Sequence, residues 1–416
     1  MSSPRLIVTS ECALPGAGSE PGKAFAWGQA LSRLYEVHMI CSSRSADLCK
    51  QSGQCDGWVF HPLDIRAKAG PGLRYYWFYH HWCRELIPKC LEVIRAVHPV
   101  GLHHPTLGSF RMLPNYDRLG IPYTLGPLGG GEIAPLRLLR DAGLPPAEFA
   151  KECLRPALNY ASLMNPQSRR VLRRARIVLA TTQETERLLR WAGATATAVV
   201  YPDALDLSQA PVAPLAARER QQEGLRRDFR CVWSCSFRWW KGGQLALRFA
   251  HHLRQAGCNA SLDIYSGGAG IERLQQMARD QGLETHVRFH GLVPRAQLLQ
   301  AYFGAHLFVY PTLHDSSSSA MLEAYSTALP SFTLALGGVR TATDPLAGLN
   351  QTPESIAAWL EQGTRLVQGW MADPGQWLAA CAAARNKCNS FLLESLVAKA
   401  REHLQPCFDP PAPDAG

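Results

Sequence analysis

Asp315 and Glu323 stand with seven residues between them in the stretch DSSSSAMLE, where four serines, Ser316 to Ser319, separate the first carboxylate from a helical pattern. A helix start exposes unpaired N–H groups and roughly half a positive charge, so small residues there let a phosphate or diphosphate approach the backbone closely. Glu323, about one turn further in, is then placed to take a diol from a ribose or a sugar. Upstream, LFVY (Leu307 to Tyr310) reads as a buried strand and PTLHD as the turn after it. The helix should end near Ala328, before Pro330. Strand, polar turn and helix form a ligand-site layout. The same window also fits a serine-rich cap on an ordinary amphipathic helix, and by itself it leaves both readings open.

The elements that must position these groups recur along the chain. Short apolar runs such as RLIVTS, YEVHMIC, VGLHH, PYTLG, RIVLATT and TAVVYP alternate with helical stretches, the pattern of parallel sheets covered on both faces. A Pro/Ala segment and a charged one interrupt the pattern after Leu207, and RCVWSCSF starts a second series with strands near Leu262, Val287, Leu307 and Ser331. The expected organisation is a first Rossmann-like domain over 1–206, a linker over 207–229 and a second Rossmann-like domain over 230–380. Terminal helices over 381–405 and a disordered tail over 406–416 follow.

The composition sets the class. With 416 residues, 46% hydrophobic and 19% charged, the chain is long enough for two globular domains. No window approaches the roughly 20 apolar residues of a membrane span, and the N-terminus reads as a strand, not a signal peptide. Thirteen cysteines without a secretory signal point to a reducing compartment, so the expected location is cytoplasmic. Cys231 and Cys235 lack a second pair at zinc-like spacing and read as buried thiols. Of the net charge of +9, residues 1–205 carry +8. A basic first half fits a protein that meets an anionic acceptor or the inner face of a membrane there. Arg169, Arg170, Arg173, Arg174 and Arg176 cluster on one helix, and the aromatic run from Arg74 to Arg84 suits either a bilayer interface or a helix packed on its own sheet. No nucleic-acid motif accompanies the charge.

The acidic window resembles the nucleotide-sugar motif of family 4 of the retaining glycosyltransferases, in which two acids are separated by seven residues. The likeness extends upstream through VRFHGLVPRAQLLQAYFGAHLFVYPT, LDIYSGGAG and FRWWKGGQLALRFA, and downstream to Gly337 and Gly338. In the first half, CALPGAGSEPGKAFAWGQAL, HHPTLGSFR and GPLGGGE resemble a bacterial subgroup with a GSEPG loop that is associated with polysaccharide assembly. The resemblance implies the GT-B fold, two Rossmann-like domains facing a cleft, with the C-terminal helix crossing back to the first domain.

It also implies roles. Lys241, at the family's Lys-Gly, should meet the diphosphate, with Arg238 substituting for the family's Arg, whose place here holds Ser236. Glu323 should take the ribose hydroxyls and Asp315 the transferred sugar. Ser318 and Ser319 should offer backbone N–H groups to phosphate. Gly267 and Gly268 should lie near the base, leaving uridine against guanosine open. Gly16, Gly18 and Gly22 form an acceptor-side loop where the backbone comes close to a ligand or to the other domain, although an ordinary strand-to-helix turn needs the same residues. His104 matches the family's active-site His, with the adjacent His103 on the opposite face of the strand as its competitor. Glu132, after GPLGGG, is a further candidate for acceptor or sugar.

The expected protein is thus a retaining, metal-independent hexosyltransferase without a cofactor. It would move a sugar from a nucleotide-sugar donor to a saccharide or lipid-linked saccharide acceptor, with peripheral association at an anionic membrane. The rival readings are a GT-B nucleotide-sugar epimerase and an inactive pseudo-glycosyltransferase that serves as a scaffold.

Overall fold

The computed structural model describes residues 3–66, 73–205, 215–343 and 351–409. They form two compact units, one comprising Met1–Gly131, Ala157–Ala204 and Leu393–Gly416, the other Glu132–Pro156 and Leu205–Leu392.

The first unit is built on a seven-stranded parallel sheet. Its strands are β1 (Arg5–Thr9), β2 (Glu36–Cys41), β3 (Val59–Pro62), β4 (Gly101–His104), β5 (Tyr123–Leu128), β6 (Val178–Ala180) and β7 (Thr197–Val199), in the order β3-β2-β1-β4-β5-β6-β7. The central strands are apolar runs because both faces are covered. All but one follow the sequence pattern. The exception, β3, is a four-residue edge strand, VFHP, with no fully buried residue and an exposed Val59, too short for periodicity to reveal it. Strand order reverses between β1 and β4, and the carboxyl ends of such a pair are where open α/β sheets hold ligands.

The C-terminal helix Leu393–His403 belongs to this unit and packs on the helix Ser19–Ser32. Leu396, Ala400 and Leu404 join Trp27 and Leu31 in one core. The chain stays ordered past the expected end of structure: Gln405–Phe408 is a helical turn, and Phe408 is buried against Gly101, where a Cβ would fall 2.3 Å from its ring. A disordered tail beginning at 406 is therefore corrected by the burial of one aromatic ring. Residues 410–416 lie outside the described residues.

The second unit carries β8 (Phe229–Ser234), β9 (Ala260–Tyr265), β10 (Val287–Phe289), β11 (Leu307–Tyr310) and β12 (Ser331–Thr333), all parallel, in the order β10-β9-β8-β11-β12. Here the order reverses between β8 and β11. Two departures from the expected boundaries have physical causes. Residues 132–156 belong to this unit, where Gln244 Nε2 donates to Ala142 O at 3.1 Å and Arg137 Nε to Glu354 O at 3.0 Å. The expected linker 207–229 is, from residue 215 on, part of the same unit. Its Arg218 is fully buried and donates to the carbonyl oxygens of Tyr302, Phe303, Ala305 and Thr327 at 2.7–3.0 Å. Those carbonyls end two helices, Arg295–Gly304 and Ser319–Ser326, where a cation is favoured by the helix dipoles. A run of charges reads as solvated, yet one of them is a buried double cap.

Candidate functional site

The loops after β8 and β11, the two strands at the reversal of strand order, are locked together in the second unit. Gly242 has φ 79°, and a Cβ there would fall 2.1 Å from Pro311 O, so both the turn and the close approach require glycine. Leu313 N donates to Trp240 O at 2.8 Å, and the His314 ring stacks on Trp240 with centroids 4.2 Å apart. This contact brings Lys241 and Asp315 together across 74 residues. Lys241 Nζ donates to Asp315 Oδ2 and, at 2.8 Å, to Tyr310 Oη, which in turn donates to Asp315 Oδ2 at 2.8 Å. The Lys241 and Asp315 side chains are 17% and 9% exposed. A cation is thereby held at the β11 end with its ammonium over the Trp240 and Tyr310 rings, 4.5 and 5.5 Å from their centroids.

The helix Ser319–Ser326 starts beside this pair. Ser318 is its N-cap, with Oγ accepting from Met321 N at 3.3 Å, and Ser319 is its first residue. One turn in, Glu323 pairs with Arg295 at 2.9 Å. Burial raises the Glu323 carboxyl above the usual range, and Arg295 opposes the shift. Gly338 N donates to Asp315 O at 2.7 Å. A Cβ on Gly338 would meet Ser316 O at 1.9 Å, so the space at this glycine is filled by the serine loop. Glu132, buried, lies beside Gly337. Gly267 and Gly268 follow β9, Gly267 O accepting from Phe237 N at 3.2 Å and its Cα facing Leu292. Arg238 is exposed and donates to its own neighbour, Phe237 O, at 2.8 Å.

A layer behind the pair has no counterpart in the sequence reading. His314 Nδ1 lies 2.9 Å from Glu152 Oε2, and Arg155 Nη2 lies 2.7 Å from His314 Nε2. Arginine has only protons to offer, so Nε2 must be the acceptor and the ring proton sits on Nδ1, close to Glu152 but not aligned on it. Burial lowers the His314 pKa, which agrees with a neutral ring. Burial alone would raise the Glu152 carboxyl, but His314 and Arg155 together hold it below the usual range. Neither these residues nor Arg295 carries a spacing signal, since Glu152 and His314 are 162 positions apart. Tyr310 had one: a phenol ending an apolar strand needs a partner.

In the first unit, His104 is buried at the end of β4. Its Nδ1 lies 2.9 Å from Thr9 Oγ1 and 2.8 Å from Tyr116 Oη, and its Nε2 lies 3.3 Å from Tyr79 Oη. His103, on the other face, bonds Thr124 Oγ1 through Nδ1 at 2.8 Å, packs against Trp27, and leaves Nε2 without a partner. Burial lowers both imidazoles to about 3, so both are neutral. The three motifs of this unit meet: Gly108 N donates to Glu20 Oε2 at 2.9 Å, and Arg111 Nη2 to Gly130 O at 3.0 Å. Gly16 has φ 66° and Gly18 precedes the helix Ser19–Ser32 as its cap. Gly22 lies within that helix, where a Cβ would fall 1.9 Å from Ala17 O. The close approach in this loop is to its own backbone.

Residues 228–369 match the family described as Glycosyl transferases group 1. The chain is 28% identical over 196 residues to a D-inositol 3-phosphate glycosyltransferase of Corynebacterium jeikeium, a match that covers 43% of this chain and 47% of that one. It thus spans about half the length of the curated relative it matches. Among solved structures, sucrose-phosphate synthase of Thermosynechococcus elongatus superposes with TM-score 0.68 at 17% identity, over 97% of this chain and 99% of that one. Anabaena HepE, in complex with UDP and glucose, superposes with TM-score 0.61 at 15% identity, over 97% and 100%. The fold is accordingly the expected GT-B type, a two-domain α/β structure with parallel sheets.

Proposed function

We propose that this protein is a glycosyltransferase that transfers a hexose from a nucleoside-diphosphate sugar to a hydroxyl group, with retention at the anomeric carbon. The observation that carries the reading is the joining of Lys241, Tyr310 and Asp315 at the start of the helix Ser319–Ser326, with the Glu323–Arg295 pair one turn in. All of it lies inside the segment that matches the group 1 glycosyl transferases. A departing diphosphate gathers negative charge, and a fixed ammonium with oriented N–H groups stabilises that charge without reorganisation. Lys241 would turn from Asp315 toward the phosphate, freeing Asp315 for the sugar hydroxyls, while Glu323 receives the ribose diol. The bond from the anomeric carbon to phosphate oxygen breaks as the bond to the acceptor oxygen forms, and the acceptor proton passes to the departing phosphate. With Lys241 and the helix start in that role, the reaction needs neither a metal nor a carboxylate nucleophile.

The UDP held by HepE makes UDP the first nucleotide to try. The acceptor is a saccharide or lipid-linked saccharide of polysaccharide or glycoconjugate synthesis, reached from the cytoplasmic side. Supporting a peripheral membrane contact, the first unit exposes Trp77, Met164 and Leu158, and sets Arg169 over the Trp191 ring at 4.7 Å. Among the described residues no helix is long and apolar enough to cross a membrane.

Calorimetry with UDP, GDP and their sugars tests the donor claim. Selective binding of one nucleotide that Glu323→Ala loses is the expected result. No binding by a folded wild type would leave the scaffold reading, which the exposed Ser236 in the family's Arg position favours. Sedimentation with anionic liposomes at low salt tests the membrane contact separately.

A further inference from the structure

A cavity of about 470 Å³ lies in the first unit, and none of its lining residues is among those assigned to the nucleotide-sugar site of the second unit. The helix Leu73–Val97 forms one wall, the segment 111–118 another, and the start of the helix Pro166–Arg174 the third. Pro88 interrupts the first wall: it has no N–H to give to the carbonyl of Arg84 one turn earlier. Arg84 comes from the first wall and Arg111 and Arg118 from the two ends of the second, and among the described residues no carboxylate lines the cavity.

Asp117, next to Arg118 in the chain, is almost fully buried and is taken by Arg170 at 2.6 Å and Arg174 at 3.9 Å, while Arg118 itself is exposed. Arg111 is held by Gly130 O and Asn159 Oδ1, which fixes the direction of its guanidinium. Three arginines line this one cavity, Arg84 and Arg118 being exposed, and guanidinium groups suit the planar, multidentate recognition of phosphate oxygens. Ser168, buried in the first turn of a nine-residue helix, adds a hydroxyl where the helix dipole also favours an anion. The lining also includes the apolar residues Leu113 and Ile87. The volume suits a small molecule, since ligand pockets run from about 300 to 1,000 Å³.

We propose that this cavity is a binding site for a phosphomonoester, either a phosphorylated sugar or the headgroup of a phosphate-bearing lipid, distinct from the nucleotide-sugar site of the second unit. It goes beyond the transferase reading and does not depend on it. The guanidinium groups grip the phosphate and the apolar residues cover the carbon skeleton.

Two probes distinguish the sources, glucose 6-phosphate by calorimetry and phosphatidic acid in phosphatidylcholine vesicles by sedimentation, each with full-length protein. Arg84→Ser and Arg118→Ser are compared with Arg33→Ser, a loss of the same charge from an exposed position elsewhere. The expected result is saturable binding of one probe, absent for glucose or for pure phosphatidylcholine, and weakened about 10-fold by either cavity variant but unchanged by Arg33→Ser. Dependence of the sugar phosphate on the two arginines identifies a soluble ligand; dependence of the vesicles alone identifies a headgroup. Binding of neither probe by a folded wild type, or an equal loss in all three variants, overturns the proposal. UDP binding should stay at the wild-type level in Arg84→Ser and Arg118→Ser, so this test and that of the donor site fail separately.

Discussion

Both sheets reverse their strand order at the same topological place, and the two reversal points are built with opposite electrostatics. At the end of β4, His104 is enclosed by Thr9, Tyr116 and Tyr79, all neutral, and is itself held neutral by burial. At the end of β11, Lys241 and Asp315 are charged partners that keep contact with solvent. Fully buried polar groups with satisfied bonds stabilise and specify a structure. A largely buried charge pair that still reaches solvent can give up one partner only to a ligand that pairs with the remaining charge in its place. Equivalent places in the topology are therefore built differently: the first encloses a neutral imidazole in hydrogen bonds, and the second holds a charged pair.

The largest effect expected comes from a cation that takes part in neither. Arg218→Met leaves four carbonyl groups buried without a donor and should cost about 4 kcal/mol in denaturant unfolding, with nucleotide affinity unchanged in the folded fraction. Lys241→Met should divide the other way. Stability falls by about 2 kcal/mol because Asp315 loses its partner, while affinity for a nucleoside diphosphate falls about 100-fold by calorimetry. Full nucleotide affinity in Lys241→Met would erase the contrast between the two reversal points.

His104→Gln should cost about 2 kcal/mol through its broken buried bonds and leave nucleotide binding intact. The pH dependence has a definite sign. An imidazole that titrates at about 3 in the folded protein and near 6.5 when unfolded binds fewer protons folded than unfolded throughout that interval. Stability is thus fully present above about 6.5 and declines as pH falls toward about 3. His103 and His306, also lowered to about 3 by burial, act in the same direction. Unfolding midpoints between about pH 7 and about pH 4 should fall less steeply for His104→Gln than for the wild type. Glu323→Gln, which keeps shape but removes the charge facing Arg295, should weaken nucleotide binding about 10-fold. Arg238→Ala should change it less than about 3-fold, because that side chain is exposed and bonded to its own neighbour; a larger loss would show that it swings to the phosphate.

The class of fold, every described strand except β3, the separation into two sheets and the candidate acids around a serine-led helix start are legible in the chain alone. These are local properties: apolar runs, breaks between them and residue types near a helix terminus follow from neighbours in the chain. The sequence was silent on β3, which is too short to show a period, and it misread the segment around Arg218, because composition cannot tell a solvated arginine from one that caps two helices. Only the tertiary structure decided that Lys241 meets Asp315, that Arg295 faces Glu323, and that Arg155 sets the tautomer of His314 beside Glu152. Each of these pairings joins residues far apart in the chain, and its geometry depends on how loops from different strands pack. It also decided what surrounds His104: the same imidazole, at the same strand end, is either a ligand group or a core group according to whether its nitrogens are already occupied.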